Sequence, residues 1–94
     1  MTTVVFSHGK ESGPWGSKIT TLSNVATDMG FAVESIDYRD LDCPEDRLER
    51  LKETITQKSN DVILVGSSMG GYVSLAAASE VSARGVFLMA PALY

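Results

Sequence analysis

The chain has a single cysteine and a single histidine, and it lacks long apolar runs. Its single thiol, Cys43, excludes an internal disulfide and a cysteine-based zinc cluster. The first residues have no basic stretch leading into an apolar segment, as a secretory signal would. No window approaches the roughly 18 apolar residues of a membrane span. We therefore expect a cytoplasmic protein with no metal site, no cofactor and no membrane contact.

Positive charge is also scarce. Eight Lys and Arg residues stand against twelve Asp and Glu residues, giving a net charge of −4 at pH 7. The basic residues are scattered along the chain, so phosphate backbones and anionic lipids would gain little from this surface. The balance argues against nucleic acid as a partner. Otherwise the composition is that of one compact soluble domain, with 44% hydrophobic and 21% charged residues.

Apolar runs alternate with amphipathic segments along the whole chain. Strands are predicted at 2–6, 31–37, 62–65 and 86–90, and the third is apolar enough to be central. The first helix is predicted from an apolar stripe of Trp15, Ile19, Leu22, Ala26 and Met29, and it ends at Gly30. The second begins near 42–45, with an acidic cap and a proline in its first turn, and the third covers 69–81. Four mostly parallel strands alternating with three helices define an α/β fold.

The second helix has a predicted inner face and a predicted wet face. Its inner face consists of Leu48, Leu51 and Ile55. Its wet face consists of Asp46, Arg47, Glu49, Arg50, Lys52 and Glu53. Cys43 is interpreted as a small residue at the start of this helix and not as a nucleophile, since no histidine is near it in sequence.

The third strand runs directly into Gly66-Ser67-Ser68-Met69-Gly70, which matches the G-x-S-x-G nucleophile elbow. In this motif the serine, here Ser68, stands on a sharp strand-to-helix turn. Small residues around it, here Gly66, Gly70 and Gly71, let neighbouring backbone close in. The plain alternative is a glycine-rich turn with two incidental serines. The predicted strand before the motif and the helix after it favour the elbow.

Four stretches together carry a family resemblance: residues 6–16 (FSHGKESGPWG), 37–39 (DYR), 65–72 (VGSSMGGY) and 88–92 (LMAPA). In this order they resemble the N-terminal half of an α/β-hydrolase, in particular the small YqiA-like, esterase-type serine hydrolases. The resemblance implies a single, incomplete α/β-hydrolase domain over 1–94. It also implies a small-molecule acyl substrate and an acyl-enzyme on Ser68.

The resemblance further implies an oxyanion hole formed by the backbone amides of Met69 and Lys10. His8 and Gly9, at the end of the first strand, would support the loop that carries Lys10. A solvated turn without chemistry is the alternative for residues 9–16. His8 itself is expected to be structural, with its ring packed and hydrogen-bonded to backbone, since the sequence places no acid to orient it.

Part of the expected machinery does not occur in these residues. Hydrolases of this fold carry an acid and then a histidine after the nucleophile, whereas only Glu80 and no histidine follow Ser68 here. We therefore expect a fragment that lacks the C-terminal strands bearing both groups. The apolar strand at 86–90 supports this, because it would otherwise form an exposed edge. If no further strand covers that edge, self-association through it is the alternative.

Two other classes of function stay open. The chain could be a non-catalytic, hydrolase-like binding module that keeps the elbow without its base. It could also be a nucleotide-binding α/β domain, with Asp37 at the end of the second strand contacting a ribose. Against this, the glycines at 9, 13 and 16 do not match the G-x-G-x-x-G spacing of dinucleotide-binding loops. A serine hydrolase of esters or thioesters is the preferred prediction.

Overall fold

Four strands and two helices have defined bounds in the computed structural model, which describes residues 2–9, 13–58, 61–67, 70, 73–74, 76–77 and 85–89. The strands are β1 (Thr3–Ser7), β2 (Ala32–Ile36), β3 (Val62–Ser67) and β4 (Gly85–Met89). The helices are α1 (Ser17–Asp28) and α2 (Pro44–Gln57). Residues 70, 73–74 and 76–77 are helical too. The predicted α/β class is confirmed.

All four strands are parallel, in the order β2-β1-β3-β4. The apolar β3 therefore lies between β1 and β4, as its composition predicts. Ser7, the last residue of β1, is opposite Ile36 of β2 and Gly66 of β3. The segments that follow β1, β2 and β3 consequently lie close together at the carboxyl ends of the strands, where ligands bind in open α/β folds. This end of the sheet is called the sheet edge below.

The sheet has an apolar core on each face, because successive strand residues point to opposite sides. One core includes Val4, Phe6 and Val65 of the strands with Ile19 and Ala26 of α1. The other combines strand residues with Leu51 and Ile55 of α2, and with Val73 and Ala77 beyond β3. The sheet is thus a middle layer, with α1 on one side and α2 on the other.

The buried face of α1 differs from the predicted stripe. Its buried residues are Ile19, Ser23 and Ala26. Leu22 is 36% exposed and Met29 is 69% exposed, so the prediction was wrong for these two. Spacings of three and four residues fit both faces. The sheet contacts the face with the small Ser23, whose hydroxyl is satisfied by the Thr20 carbonyl at 2.9 Å.

The predicted ends of the helices are largely confirmed. Gly30 follows α1 with a φ of 90°, a left-handed conformation that glycine adopts without strain. Pro44 opens α2, where its missing N–H costs nothing. The cap itself is Cys43, without a side-chain cap bond, and the acidic residues Glu45 and Asp46 lie inside the first turn. Within the described residues, no helix is long and apolar enough to cross a bilayer.

The inner face of α2 is also as predicted for Leu51 and Ile55, which are fully buried, and Leu48 packs against them. Arg47, however, was predicted on the wet face and is only 1% exposed. This prediction was wrong. The reason lies in the contacts that its guanidinium makes at the sheet edge.

We expect Leu51→Ala to lower the free energy of unfolding by about 2–5 kcal/mol, since it leaves a cavity in a fully buried site. Leu22→Ala is the matched control, and its loss should stay below about 1 kcal/mol because the side chain is partly exposed. Urea unfolding followed by circular dichroism measures both. A loss at Leu22 as large as that at Leu51 would mean that Leu22 is buried against the sheet, as the predicted stripe of α1 has it.

Candidate active site

Two described segments surround the place where the motif predicts a nucleophile. β1 leads into His8 and Gly9, and β3 ends at Ser67. The predicted nucleophile Ser68 and the residues named for the oxyanion hole, Lys10 and Met69, lie outside the described residues, as does Gly71. Their roles stay predictions, and the surrounding geometry is what bears on them.

The backbone of Gly70 lies directly against the end of β1. A Cβ placed on Gly70 would collide with the Ser7 carbonyl oxygen and stand 2.5 Å from its carbonyl carbon and 2.8 Å from the His8 oxygen. All three contacts are backbone, so no side-chain rotation can relieve them. The chain leaves β3 at Ser67 and, by Gly70, is already helical and packed on β1. Such a tight crossing is what the small residues of the elbow motif predict.

His8 is fully buried, and both of its ring nitrogens have backbone partners. Nδ1 lies 2.7 Å from the Gly9 carbonyl oxygen, and the Tyr38 amide donates to Nε2 at 2.8 Å. A carbonyl only accepts and an amide only donates, so the ring is neutral, with its proton on Nδ1. Burial lowers the pKa of His8, and the charge of Arg47 acts in the same direction. This is the arrangement of a structural histidine.

The carboxylate of Asp37, just beyond β2, is engaged by Arg39. Arg39 donates from Nε to Oδ1 at 2.9 Å and from Nη2 to Oδ2 at 2.7 Å. This side-chain bond holds the pKa of Asp37 well below its usual range. Because the carboxylate has a bidentate partner, it is poorly placed to bind a ribose, which weighs against the nucleotide alternative.

Asp37 also stands closer to His8 than the sequence suggests. Its Oδ1 is 3.8 Å from His8 Nε2, although the sequence places no acid beside this histidine. The two come together because β1 and β2 are parallel neighbours that end at the same edge. No hydrogen bond joins them, since Nε2 already accepts the Tyr38 amide.

Arg47 reaches from α2 to the backbone that follows β1. Its Nε donates to the Leu41 carbonyl at 2.8 Å, and its Nη1 donates to the carbonyls of His8 at 3.3 Å and Gly9 at 3.4 Å. Arg47 lies four residues before Leu51 and therefore on the buried side of α2, but it was assigned to the wet face because an arginine is normally exposed.

Tyr38 contacts Ser7, His8 and Arg47. Its ring lies 5.3 Å from the guanidinium carbon of Arg47 and 5.4 Å from the His8 ring, measured to the centroids. Its hydroxyl is 2.8 Å from Ser7 Oγ. Burial raises the pKa of Tyr38, so the hydroxyl stays protonated. Ser7, His8, Tyr38 and Arg47 are each at most 1% exposed and form one buried polar cluster.

A cleft of about 270 Å³ opens beside the end of β3. It is lined by Ser67, Gly13 and the four residues 16–19. The loop before α1 is bonded to β2, because Ser35 Oγ donates a hydrogen bond to the Pro14 carbonyl. Trp15 in this loop is 56% exposed, so its place in the predicted apolar stripe of the first helix was wrong. Among the described residues, no cluster of three or more metal-ligating side chains occurs.

Comparison with known proteins places the chain in a family. Residues 3–94 match the model of the uncharacterised protein family UPF0227, and the chain belongs to that family. A crystal structure from Xanthomonas campestris pv. campestris, of a member of the alpha/beta superfamily of hydrolases, is 37% identical with a TM-score of 0.87. That match covers 95% of this chain and 58% of the other.

A second solved structure shares the fold at lower identity. It is an extracellular alpha/beta-hydrolase from a Paenibacillus species, described as homologous in structure and function to tobacco salicylic acid binding protein 2. It is 21% identical with a TM-score of 0.75, and the match covers 97% of this chain and 41% of that one. No curated protein matches. The chain thus spans 58% of the first structure and 41% of the second, and the α/β-hydrolase resemblance is confirmed.

We expect Gly70→Ala to lower the free energy of unfolding by about 2 kcal/mol or more, because the methyl group would collide with fixed backbone. Gly85→Ala is the matched control. A Cβ there meets nothing within 4 Å, so its change should stay within about 0.5 kcal/mol. Denaturant unfolding compares the two. A Gly70→Ala protein as stable as the control would contradict the close crossing.

Stability should also depend on the protonation of His8. Its folded pKa is lowered below the ordinary 6.5, so the unfolded chain binds the proton more readily. The contribution is complete above pH 6.5 and decreases as the pH falls from there through the folded pKa. The slope from one such group is at most about 1.4 kcal/mol per pH unit.

Thermal unfolding between pH 7.5 and about pH 5 measures this loss above the range where carboxylates titrate. The matched variant is His8→Gln, which has no titrating ring and should show a flatter profile over the same interval. Parallel profiles would mean that His8 is not the group responsible.

Proposed function

We propose that the full-length protein carrying this chain is a serine hydrolase that cleaves carboxylic esters or thioesters through an acyl-enzyme on Ser68. The observation that carries the proposal is the tight crossing from Ser67 to Gly70. It provides the strand before, the helical backbone after and the close approach that the G-x-S-x-G motif requires. Membership of a family with the α/β-hydrolase fold supports the same chemistry.

In this mechanism Ser68 Oγ attacks the carbonyl carbon of the substrate, and a general base takes the hydroxyl proton. The negative charge that develops on the carbonyl oxygen is stabilised by the amides of Lys10 and Met69. The bond to the leaving alcohol or thiol then breaks as the base returns the proton. Water attacks the acyl-enzyme in the same way, releasing the acid and free Ser68.

The base must come from residues other than those described here. His8 is the only histidine of the 94 residues, and its Nε2 accepts the Tyr38 amide. If His8 took a proton at Nε2, the buried Tyr38 amide would lose its acceptor. We therefore propose that a histidine and an acid from the remaining part of the protein complete the site.

The cleft beside Ser67 is the proposed place for a small acyl substrate, because it adjoins the end of β3. The scattered basic residues and the net charge of −4 fit a small neutral substrate better than a polyanion. We further propose a cytoplasmic location. We also propose that β4 pairs with further chain of the same protein, or otherwise with a second copy.

A fluorophosphonate probe tests the nucleophile. We expect the full-length protein to be phosphonylated on Ser68, with loss of fluoride, and Ser68→Ala to abolish labelling. The 94-residue chain should label weakly, since no base is available to it. The matched control is Ser74→Ala, because the buried Ser74 hydroxyl has no hydrogen-bond partner among the described residues. An inert Ser68 in the folded full-length protein would leave a non-catalytic binding module as the function.

A further inference from the structure

Arg47 is buried without any part in the chemistry proposed above, yet its contacts converge on the backbone that precedes Lys10. Its Nη1 reaches two successive carbonyls, those of His8 at 3.3 Å and Gly9 at 3.4 Å. The Gly9 carbonyl also accepts from His8 Nδ1 at 2.7 Å. Two donors on rigid neighbours therefore hold this one carbonyl.

A peptide group is planar, and in its trans form the C=O and N–H point in opposite directions. The Gly9 carbonyl and the Lys10 amide belong to the same peptide group. Any contact that fixes the direction of the carbonyl also fixes the direction of the amide. Donors on the carbonyl side therefore orient the predicted oxyanion donor on the other side.

Arg47 is itself held firmly enough to serve this purpose. Its Nε donates to the Leu41 carbonyl at 2.8 Å, which anchors the guanidinium at a second point. Its face lies over the Tyr38 ring, with the guanidinium carbon 5.3 Å from the centroid. A planar fork with several donors can bridge such separate carbonyls, which a lysine ammonium does less well.

We propose that Arg47 is a positioning residue, which holds the His8–Gly9 backbone so that the Lys10 amide faces the reacting carbonyl oxygen. This inference rests on the proposed function. An oxyanion donor acts mainly on the transition state, so a misdirected amide should lower kcat and leave KM nearly unchanged.

The test is steady-state hydrolysis of p-nitrophenyl acetate by the full-length protein and four variants. We expect Arg47→Met to lower kcat about tenfold or more, with KM within about threefold. Arg47→Lys keeps the charge without the fork and should fall between Arg47→Met and the natural protein. Arg50→Met and Arg50→Lys are the matched controls. Arg50 lies on the same helix and contacts Asp40 and the Asp37 carbonyl at the surface, so its variants should stay within about twofold.

Nuclear magnetic resonance gives the second readout. The Lys10 amide resonance should shift in the Arg47 variants and not in the Arg50 variants, while the dispersion of the amide spectrum reports whether each protein is folded. If Arg47→Met does not fold, Arg47→Lys carries the comparison, and if neither folds the arginine is structural and the inference is overturned.

The outcomes separate this inference from the proposed function. Unchanged kcat in a folded Arg47 variant, or a loss confined to KM, overturns the positioning role while the hydrolase stands. A natural protein that neither hydrolyses the ester nor labels on Ser68 removes the proposed function, and the inference that rests on it falls as well. A loss in kcat together with the shift of the Lys10 amide supports it.

Discussion

The contact between the Gly70 backbone and the end of β1 is the constraint on which the site geometry depends. It admits no side chain at position 70, and its partners are the carbonyl groups of Ser7 and His8. Because β1 and β3 are parallel and adjacent, Gly70, which comes shortly after β3, lies directly beside the end of β1. The segment that would carry the nucleophile and the segment that leads to the oxyanion loop are thereby fixed to each other.

The buried polar cluster holds the same short segment through hydrogen bonds. The Ser7 hydroxyl meets Tyr38, the His8 ring accepts from the Tyr38 amide, and the Arg47 guanidinium binds the following carbonyls. A buried carbonyl without a donor costs about as much as a lost hydrogen bond. The cluster satisfies these groups with donors from β1, from the end of β2 and from α2, so three elements that are separate in sequence become rigidly joined at the sheet edge.

Much of the fold follows directly from the sequence. Short apolar runs bounded by glycine and proline predicted all four strands to within a residue or two, and Gly30 and Pro44 predicted helix ends. The buried face of α1 followed only in part, because Leu22 and Ser23, three and four residues after Ile19, fit helical spacing equally well and only contact with the sheet separates them. The solvent position predicted for Arg47 failed for a related reason. Its partners include carbonyls about forty positions away, and backbone carbonyls contribute nothing to a hydropathy pattern.

The sequence predicted the local turn of the candidate site but not the contacts around His8, because the first depends on neighbouring residues and the second on distant ones. The elbow motif is a local requirement for small residues on a sharp turn, so it can be recognised from a few consecutive letters. The contacts around His8 arise because β1 and β2 are parallel neighbours, which brings Asp37 and Tyr38 beside it. Neither segment alone predicts which strand it pairs with. The carboxylate nearest to His8, that of Asp37, is bound by Arg39. Because this pair is complete within the chain, Asp37 is not free to orient the catalytic base that we propose comes from the rest of the protein.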